Sequence, residues 1–144
     1  MVRALSSETI HATSVAIDGQ AVLLAGPSGA GKSDLALRLI DRGAVLVSDD
    51  YTLIKRVEGQ LIATAPVNII GKIEVRGIGV VDLPYVAEAP VALLIDLFDV
   101  VDRMPETPMM RMIAGVNVPV VKLVPLEPSA PIKAELALKA VIRA

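Results

Sequence analysis

The chain has 144 residues and a mass of 15.1 kDa, the size of one ordinary domain. Apolar residues make up 53% of the sequence, but it holds no Trp, one Phe and two Tyr, so its core must be built from aliphatic side chains. With no Cys and a single His, the sequence excludes disulfides, thiolate chemistry and any site that needs two imidazoles.

Charge and hydropathy exclude two further classes of protein. The mean hydropathy is +0.62, but the longest apolar stretches, residues 21–25 and 90–95, are far shorter than the roughly 20 residues of a membrane-spanning helix. Residues 1–19 lack the continuous apolar segment of a signal peptide. A net charge of −2 with few aromatic side chains disfavours nucleic acid as a partner. We therefore expect a soluble, cytoplasmic protein that binds neither membrane nor nucleic acid.

Hydrophobic periodicity and turn residues predict strands interspersed with helices. In chain order, we expect strands at 13–17 and 20–25, a glycine-rich loop at 26–31, a helix that ends at Gly43, strands at 44–48, 51–57, 61–65 and 91–98, and a helix at 132–144. The dipeptide Asp18-Gly19 predicts a type I′ turn between the first two strands. Residues 66–83 are less regular, and residues 99–117 predict a loop that serves as a lid or a partner surface. Together these elements predict an α/β fold with a mixed, aliphatic-cored β-sheet flanked by helices.

One motif carries a specific chemistry. The segment Gly26-Pro27-Ser28-Gly29-Ala30-Gly31-Lys32-Ser33 matches G-x-x-x-x-G-K-[ST] in full, between a predicted strand and a predicted helix. In such a P-loop, backbone N–H groups surround the phosphates, the Lys reaches the β- and γ-phosphates, and the Ser hydroxyl binds Mg²⁺. The sequence therefore predicts binding of a nucleoside triphosphate.

Phosphoryl transfer also needs carboxylates, and three positions qualify. Asp49 and Asp50 follow a buried strand, Asp96 follows the apolar run 91–95, and Glu74 lies in an Ile-Glu-Val-Arg-Gly-Ile-Gly string. Alternation along that string places Glu74 and Arg76 on one face. Spacing alone does not choose among the three positions, and it gives His11 and Arg103 no role.

The combined motifs resemble the C-terminal kinase domain of HPr kinase/phosphorylase. The resemblance runs from His11 through GPSGAGKS, RGAVLVSDD and EVRGIGV to VDRMPE, or roughly from His11 to Arg103. It implies ATP- and Mg²⁺-dependent phosphorylation of a serine on the phosphocarrier HPr of the phosphotransferase system, together with a reverse phosphorolysis that yields pyrophosphate. It also implies a homo-oligomer, in this family a hexamer.

The same resemblance implies individual roles. Gly26, Pro27, Ser28, Gly29, Ala30, Gly31, Lys32 and Ser33 hold ATP, and Ser33 with Glu74 binds Mg²⁺. Asp50 is the base that takes the seryl proton, and His11, Lys32 and Arg103 complete the active site. Asp96 becomes structural, and the role of Asp49 stays open.

Two departures from the family shape the expectation. Residues 1–144 are expected to form a single-domain short form that lacks the family's N-terminal domain, and the stretch 119–125 lacks the Gly-Arg-Asn that the family associates with dephosphorylation. Two alternatives stay open. One is a P-loop kinase of a small metabolite with Asp96 as its metal ligand, and the other is a catalytically silent ATP-sensing module.

Overall fold

The computed structural model describes residues 6–104 and 107–143. Its elements, in chain order, are β1 (Ser7–Ile10), β2 (Ala12–Ile17), β3 (Gln20–Ala25), α1 (Lys32–Asp41), β4 (Val45–Ser48), β5 (Thr52–Val57), β6 (Gln60–Thr64), a 3₁₀ turn (Val67–Ile69), β7 (Lys72–Val75), β8 (Gly79–Asp82), β9 (Glu88–Leu97), β10 (Met109–Ile113), β11 (Val116–Leu123) and α2 (Ala130–Arg143). The predicted strands and helices are confirmed to within a few residues, although the last residue predicted for α2, Ala144, lies outside the described residues.

Nine of the strands form one mixed sheet. Seven of them follow the order β1-β5-β6-β9-β3-β2-β4, and β11 pairs with β9 and carries β10 on its other side. The pairs β3–β9 and β9–β11 are parallel, and the other pairs of this sheet are antiparallel. The prediction of a mixed sheet is confirmed.

The core is aliphatic, as predicted, because every buried hydrophobic residue among those described is Ala, Val, Leu or Ile. Side chains alternate along β3, so that Val22 and Leu24 pack toward the helices while Leu23 packs against Ile54 and its neighbours. Both helices contribute to the same core cluster and contact each other. The helices therefore cover one face, and the curled strands around β5 and β6 cover the other. Within the described ranges, neither helix is long and apolar enough to cross a membrane.

The hairpin turns explain one success and one error of the prediction. Asp18 and Gly19 have φ angles of 49° and 79°, which confirms the type I′ turn. Ala114 and Gly115 have φ angles of 47° and 84°, and they join β10 to β11. The prediction of a loop over 99–117 was therefore wrong for residues 109–113 and for the first residues of β11. The predicted loop also includes Pro105 and Glu106, which lie outside the described residues.

A corner of the sheet positions the functional residues. The chain runs through β1 and β2 with a break at His11, so that β1 pairs with β5 while β2 pairs with β4. Residues 49–51 make a similar break between β4 and β5. Buried hydroxyl groups hold the two corners together, because Thr52 Oγ1 donates to Ala12 O (2.9 Å) and Ser14 Oγ then donates to Thr52 Oγ1 (2.8 Å). His11 and Asp50 are thereby brought together, although 39 positions separate them in sequence.

Candidate active site

The loop 26–31 connects β3 to α1, and glycine is required at two of its positions, one for close packing and one for a left-handed backbone conformation. A Cβ on Gly26 would lie 2.9 Å from Ala30 Cβ, and Gly31 has a φ of 101°. No side chain caps the N-terminus of α1 within the described part of the chain. Its first N–H groups are therefore available to an anion, as the motif predicts.

Lys32 lies at the start of α1 and is 5% exposed. Its Nζ donates to the carbonyl oxygens of Gly26 (2.8 Å) and Pro27 (3.1 Å). It also lies 3.6 Å from Asp50 Oδ1. One buried cation thus holds the shape of the loop and faces an acidic side chain.

A cavity of about 570 Å³ opens beside this loop, within the size range of small-molecule sites. Its lining combines the loop and the start of α1 with acidic residues from two other segments. The lining residues include Ser28, Gly29, Gly31, Lys32, Ser33, Asp49, Asp50, Glu74 and Arg76. Of the three acidic positions predicted from sequence, the Asp49–Asp50 pair and Glu74 line the cavity, and Asp96 does not.

The Asp49 carboxylate accepts hydrogen bonds from three segments of the site. Only 8% of the residue is exposed. Its Oδ1 accepts hydrogen bonds from Ser33 Oγ (2.7 Å) and Thr13 Oγ1 (3.0 Å), and its Oδ2 accepts one from the backbone N–H of Glu74 (2.9 Å). A single carboxylate therefore joins the P-loop serine, the sheet corner and β7. The sequence left the role of Asp49 open because these partners come from three separate segments.

Asp50 faces the cavity with a different set of contacts. His11 Nε2 lies 2.9 Å from Asp50 Oδ1, and Lys32 Nζ lies 3.4 Å from the same nitrogen. An ionised carboxylate only accepts hydrogen bonds, so in this contact the His11 Nε2–H group is the donor and Asp50 Oδ1 is the acceptor. The Lys32–His11 approach is then not a hydrogen bond. The φ of Asp50 is 65°, a left-handed conformation that few residue types tolerate.

Two residues that the sequence analysis missed support this pair. Thr13 Oγ1 accepts the N–H of Asp50 (3.0 Å) while donating to Asp49, so it fixes both acidic residues. The Tyr51 ring stacks on the His11 imidazole with centroids 4.9 Å apart and an interplanar angle of 17°. No sequence signal distinguishes Thr13 and Tyr51 from their neighbours, because their roles depend on the contact between the breaks at His11 and at residues 49–51.

The segment around Glu74 is shorter than the alternation implied. β7 ends at Val75, and Arg76 lies in the turn that leads to β8. Glu74 and Arg76 nevertheless line the same cavity, and both are exposed. Arg76 therefore lies at the cavity, where its guanidinium could reach a bound anion, a role that the sequence did not indicate.

Arg103 is not brought to this cavity. It lies after β9 in the segment that follows Phe98, and it is exposed. Asp96 is on β9, in register with Ala25 of β3 and Lys122 of β11. Within residues 6–104 and 107–143, neither side chain takes part in an ion pair or hydrogen bond that joins it to Asp49, Asp50 or Lys32.

The order of these elements and their motifs matches a known family. A family model described as HPr Serine kinase C-terminal domain matches residues 3–142. The chain belongs to this family. Among solved structures, the Hpr(Ser) kinase/phosphatase from Coxiella burnetii is similar, with a TM-score of 0.82 and 31% sequence identity over 94% of this chain and 97% of that one. This match confirms the mixed α/β fold.

Curated relatives of the HPr serine kinase family agree with the assignment. The HPr kinase/phosphorylase of Clostridium tetani is 47% identical over 81 residues, which are 56% of this chain and 27% of that protein. The HPr kinase/phosphorylase of Clostridium beijerinckii is 46% identical over 80 residues, 55% of this chain and 26% of that protein. The matched part thus spans about a quarter of the length of these relatives.

Proposed function

We propose that this chain transfers the γ-phosphoryl group of ATP to a serine of the phosphocarrier HPr. Membership in the HPr serine kinase family supports the reaction class and the partner. The observation that carries the proposal is the Asp50 carboxylate, held 2.9 Å from His11 Nε2 and 3.6 Å from Lys32 Nζ beside the P-loop. A carboxylate in this position can receive a proton from a hydroxyl that approaches the bound nucleotide.

The proposed phosphoryl transfer involves the seryl hydroxyl, ATP and the Asp50 carboxylate. The seryl oxygen attacks the γ-phosphorus, its proton passes to Asp50, the bond from the γ-phosphorus to the β–γ bridging oxygen breaks, and ADP leaves. The transition state is loose, so positioning matters more than the strength of the base. Lys32 and Arg76 offset the negative charge on the transferring group. His11 holds Asp50 in its orientation through the Nε2 hydrogen bond.

The oxygen donors beside the loop fit Mg²⁺. Magnesium prefers hard oxygen ligands and usually keeps several waters and phosphate oxygens. Ser33 Oγ is held by the buried Asp49, and the exposed Glu74 side chain lines the same cavity. Among residues 6–104 and 107–143, no group of three or more His, Cys, Asp or Glu residues forms a metal site, so phosphate oxygens and waters would have to supply further ligands. We therefore assign Ser33 and Glu74 as the residues that hold Mg²⁺ with the nucleotide, where the ion offsets phosphate charge.

The proposal includes the reverse reaction. Inorganic phosphate attacks the phosphorus of phosphoserine, the bond to the seryl oxygen breaks, and Asp50 returns the proton to that oxygen, so that pyrophosphate and HPr are formed. The stretch 119–125 differs from the family motif, and its residues 119–123 belong to β11. The kinase direction is therefore the primary activity in this proposal.

The proposal also covers the setting of the reaction. We place the protein in the cytoplasm as a homo-oligomer, in which residues 1–144 form one domain. The edge strand β10 supports the assembly, because it exposes the apolar side chains of Met110 and Met112.

Intact-mass spectrometry of cognate HPr tests the proposed function directly. After incubation with the protein, ATP and Mg²⁺, we expect one phosphoryl addition, mapped to a serine. An HPr variant with that serine changed to Ala is the matched control and must stay unmodified. Adding inorganic phosphate to the phosphorylated product then tests the reverse direction. Unmodified HPr, with ATP binding intact, would refute the kinase assignment.

Changing Lys32 to Ala is expected to weaken both ATP binding and turnover. The ammonium group contacts the phosphates and also holds two loop carbonyls, so ATP affinity should fall about tenfold or more. Calorimetric titration with ATP measures the affinity, and Lys139→Ala on the exposed surface of α2 is the control. An unchanged dissociation constant for Lys32→Ala would remove the P-loop from the nucleotide site.

A further inference from the structure

Two leucines add apolar surface to the cavity, beside the acidic side chain of Asp34, which lies one turn before Leu37 in α1 and also lines the cavity. Leu37 of α1 and Leu126, which follows β11, line it. Leu37 lies four residues beyond Ser33, which is about 6 Å further along the helix axis. Leu126 is 77% exposed, so most of its apolar surface is free to contact a ligand.

The segment that carries Leu126 is fixed to the helix. One Arg38 Nη atom donates to the carbonyl of Pro125 and the other to the carbonyl of Glu127 (3.2 Å). Arg38 also pairs with Asp34 at 3.0 Å, one turn earlier in α1. Pro125 is buried and lies so close to the P-loop that a Cβ on Gly31 would be 3.3 Å from its Cβ. The residues on both sides of Leu126 are therefore held, and its position over the cavity is set by the fold.

The chemistry of a nucleotide suits this mixed lining. In a nucleoside triphosphate, the α-phosphate and the ribose separate the base from the β-phosphate. With the β- and γ-phosphates at Lys32 and Ser33, the base lies apart from these two residues, and Leu37 and Leu126 are the leucines of the lining that offer it apolar surface. The flat, apolar faces of a base favour such a surface.

We propose that Leu37 and Leu126 form an apolar shelf that contacts the base of the bound nucleotide, and that Arg38 acts as a positioning residue by bracing the segment 125–127. This inference rests on the proposed function, because it requires a nucleotide on the P-loop. It makes Leu126 a determinant of affinity for the nucleoside part of the substrate, separate from the phosphate contacts.

Titration calorimetry with ATP and with inorganic tripolyphosphate tests the shelf, because the second ligand has the phosphates but no base. Leu126→Ala should weaken ATP binding about fivefold to tenfold, as expected when part of a leucine contact is lost. Binding of tripolyphosphate should stay within twofold. Leu136→Ala is the matched control, since Leu136 is also an exposed leucine (58%) but lies on α2 outside the cavity lining. It should change neither affinity.

The outcomes separate the shelf from the proposed function. If wild-type protein binds neither ligand, the nucleotide site itself is refuted. If wild-type protein binds ATP but Leu126→Ala binds it equally well, or loses both ligands in parallel, the shelf alone is refuted. Because Leu126 is exposed, its truncation leaves the core intact, and a thermal melt of the variant checks this.

Recognition of the base by the shelf also predicts low selectivity between ATP and GTP. Among the described residues that line the cavity, none carries a side-chain amide, the group that forms a bidentate pair with adenine. Apolar contacts discriminate weakly between ligands of similar shape. GTP should therefore bind within about tenfold of ATP, and a larger preference would show that hydrogen bonds, not the shelf, recognise the base.

Discussion

Replacing Asp50 by Asn is expected to lower turnover of the proposed HPr kinase reaction by about 10²-fold or more, the usual effect of losing a general base. ATP affinity should stay within a few-fold, because Lys32 and the loop amides remain. Asn has nearly the same shape as Asp and is among the few residue types that adopt the positive φ of 65° found here. The variant therefore removes the proton acceptor without adding backbone strain. Steady-state phosphorylation of HPr, with ATP affinity measured in parallel, provides the test.

Asp96→Asn is the matched control for this experiment. Asp96 is the carboxylate that a search for a strand-end metal ligand selects, but it lies on β9 outside the cavity lining. We expect near-normal turnover for Asp96→Asn. Loss of turnover in Asp96→Asn with retention in Asp50→Asn would favour the alternative of a metabolite kinase and would remove Asp50 as the base.

The P-loop and its flanking elements were predictable because their signals are local. The motif specifies a strand, a loop and a helix within about twenty residues, and the turn dipeptide Asp18-Gly19 specifies the preceding hairpin. The aliphatic core also followed from composition alone.

The strand β10 was not predictable for a physical reason. It is an edge strand, and both of its faces are largely exposed, so its side chains do not alternate between apolar and polar. Its turn uses Ala114 at a φ of 47°, a conformation that the sequence does not signal in the way that Asn or Asp would.

The contacts that support the acidic residues of the site could not be predicted from the sequence either. Thr13, Tyr51 and Asp49 acquire their roles only where two strand corners meet, and the hydrogen bonds between Asp49 and Ser33 or Glu74 span 16 and 25 positions. The resemblance implied that Asp50 is the base, but it left the role of Asp49 open. The structure separates the two residues, because Asp49 is hydrogen-bonded inward and Asp50 faces His11 and the cavity.

This division leads to the second large effect, which concerns Asp49. In Asp49→Asn, the amide oxygen can take the place of Oδ2 and accept from the backbone N–H of Glu74, and the NH₂ group then faces the hydroxyls of Ser33 and Thr13. These hydroxyl oxygens can accept from the amide, but the O–H of the buried Thr13 then loses its acceptor. A buried donor is left unsatisfied, at a cost of about 1–3 kcal/mol. The melting temperature should therefore fall by several degrees, on the order of 3–10 °C.

Turnover of Asp49→Asn should fall as well, by about tenfold to a hundredfold, because Ser33 and the segment of Glu74 lose their common anchor. The combination of the two readouts distinguishes the neighbouring acids. Asp50→Asn should lose turnover with an unchanged melting temperature, since half of its side chain is exposed, whereas Asp49→Asn should lose both. Thr13→Ser keeps the hydroxyl that bridges the two acids and loses only a buried methyl group, so it is the control and should keep turnover near that of the wild type. A melting temperature for Asp49→Asn equal to that of Asp50→Asn would contradict the assignment of Asp49 as the buried anchor of the site.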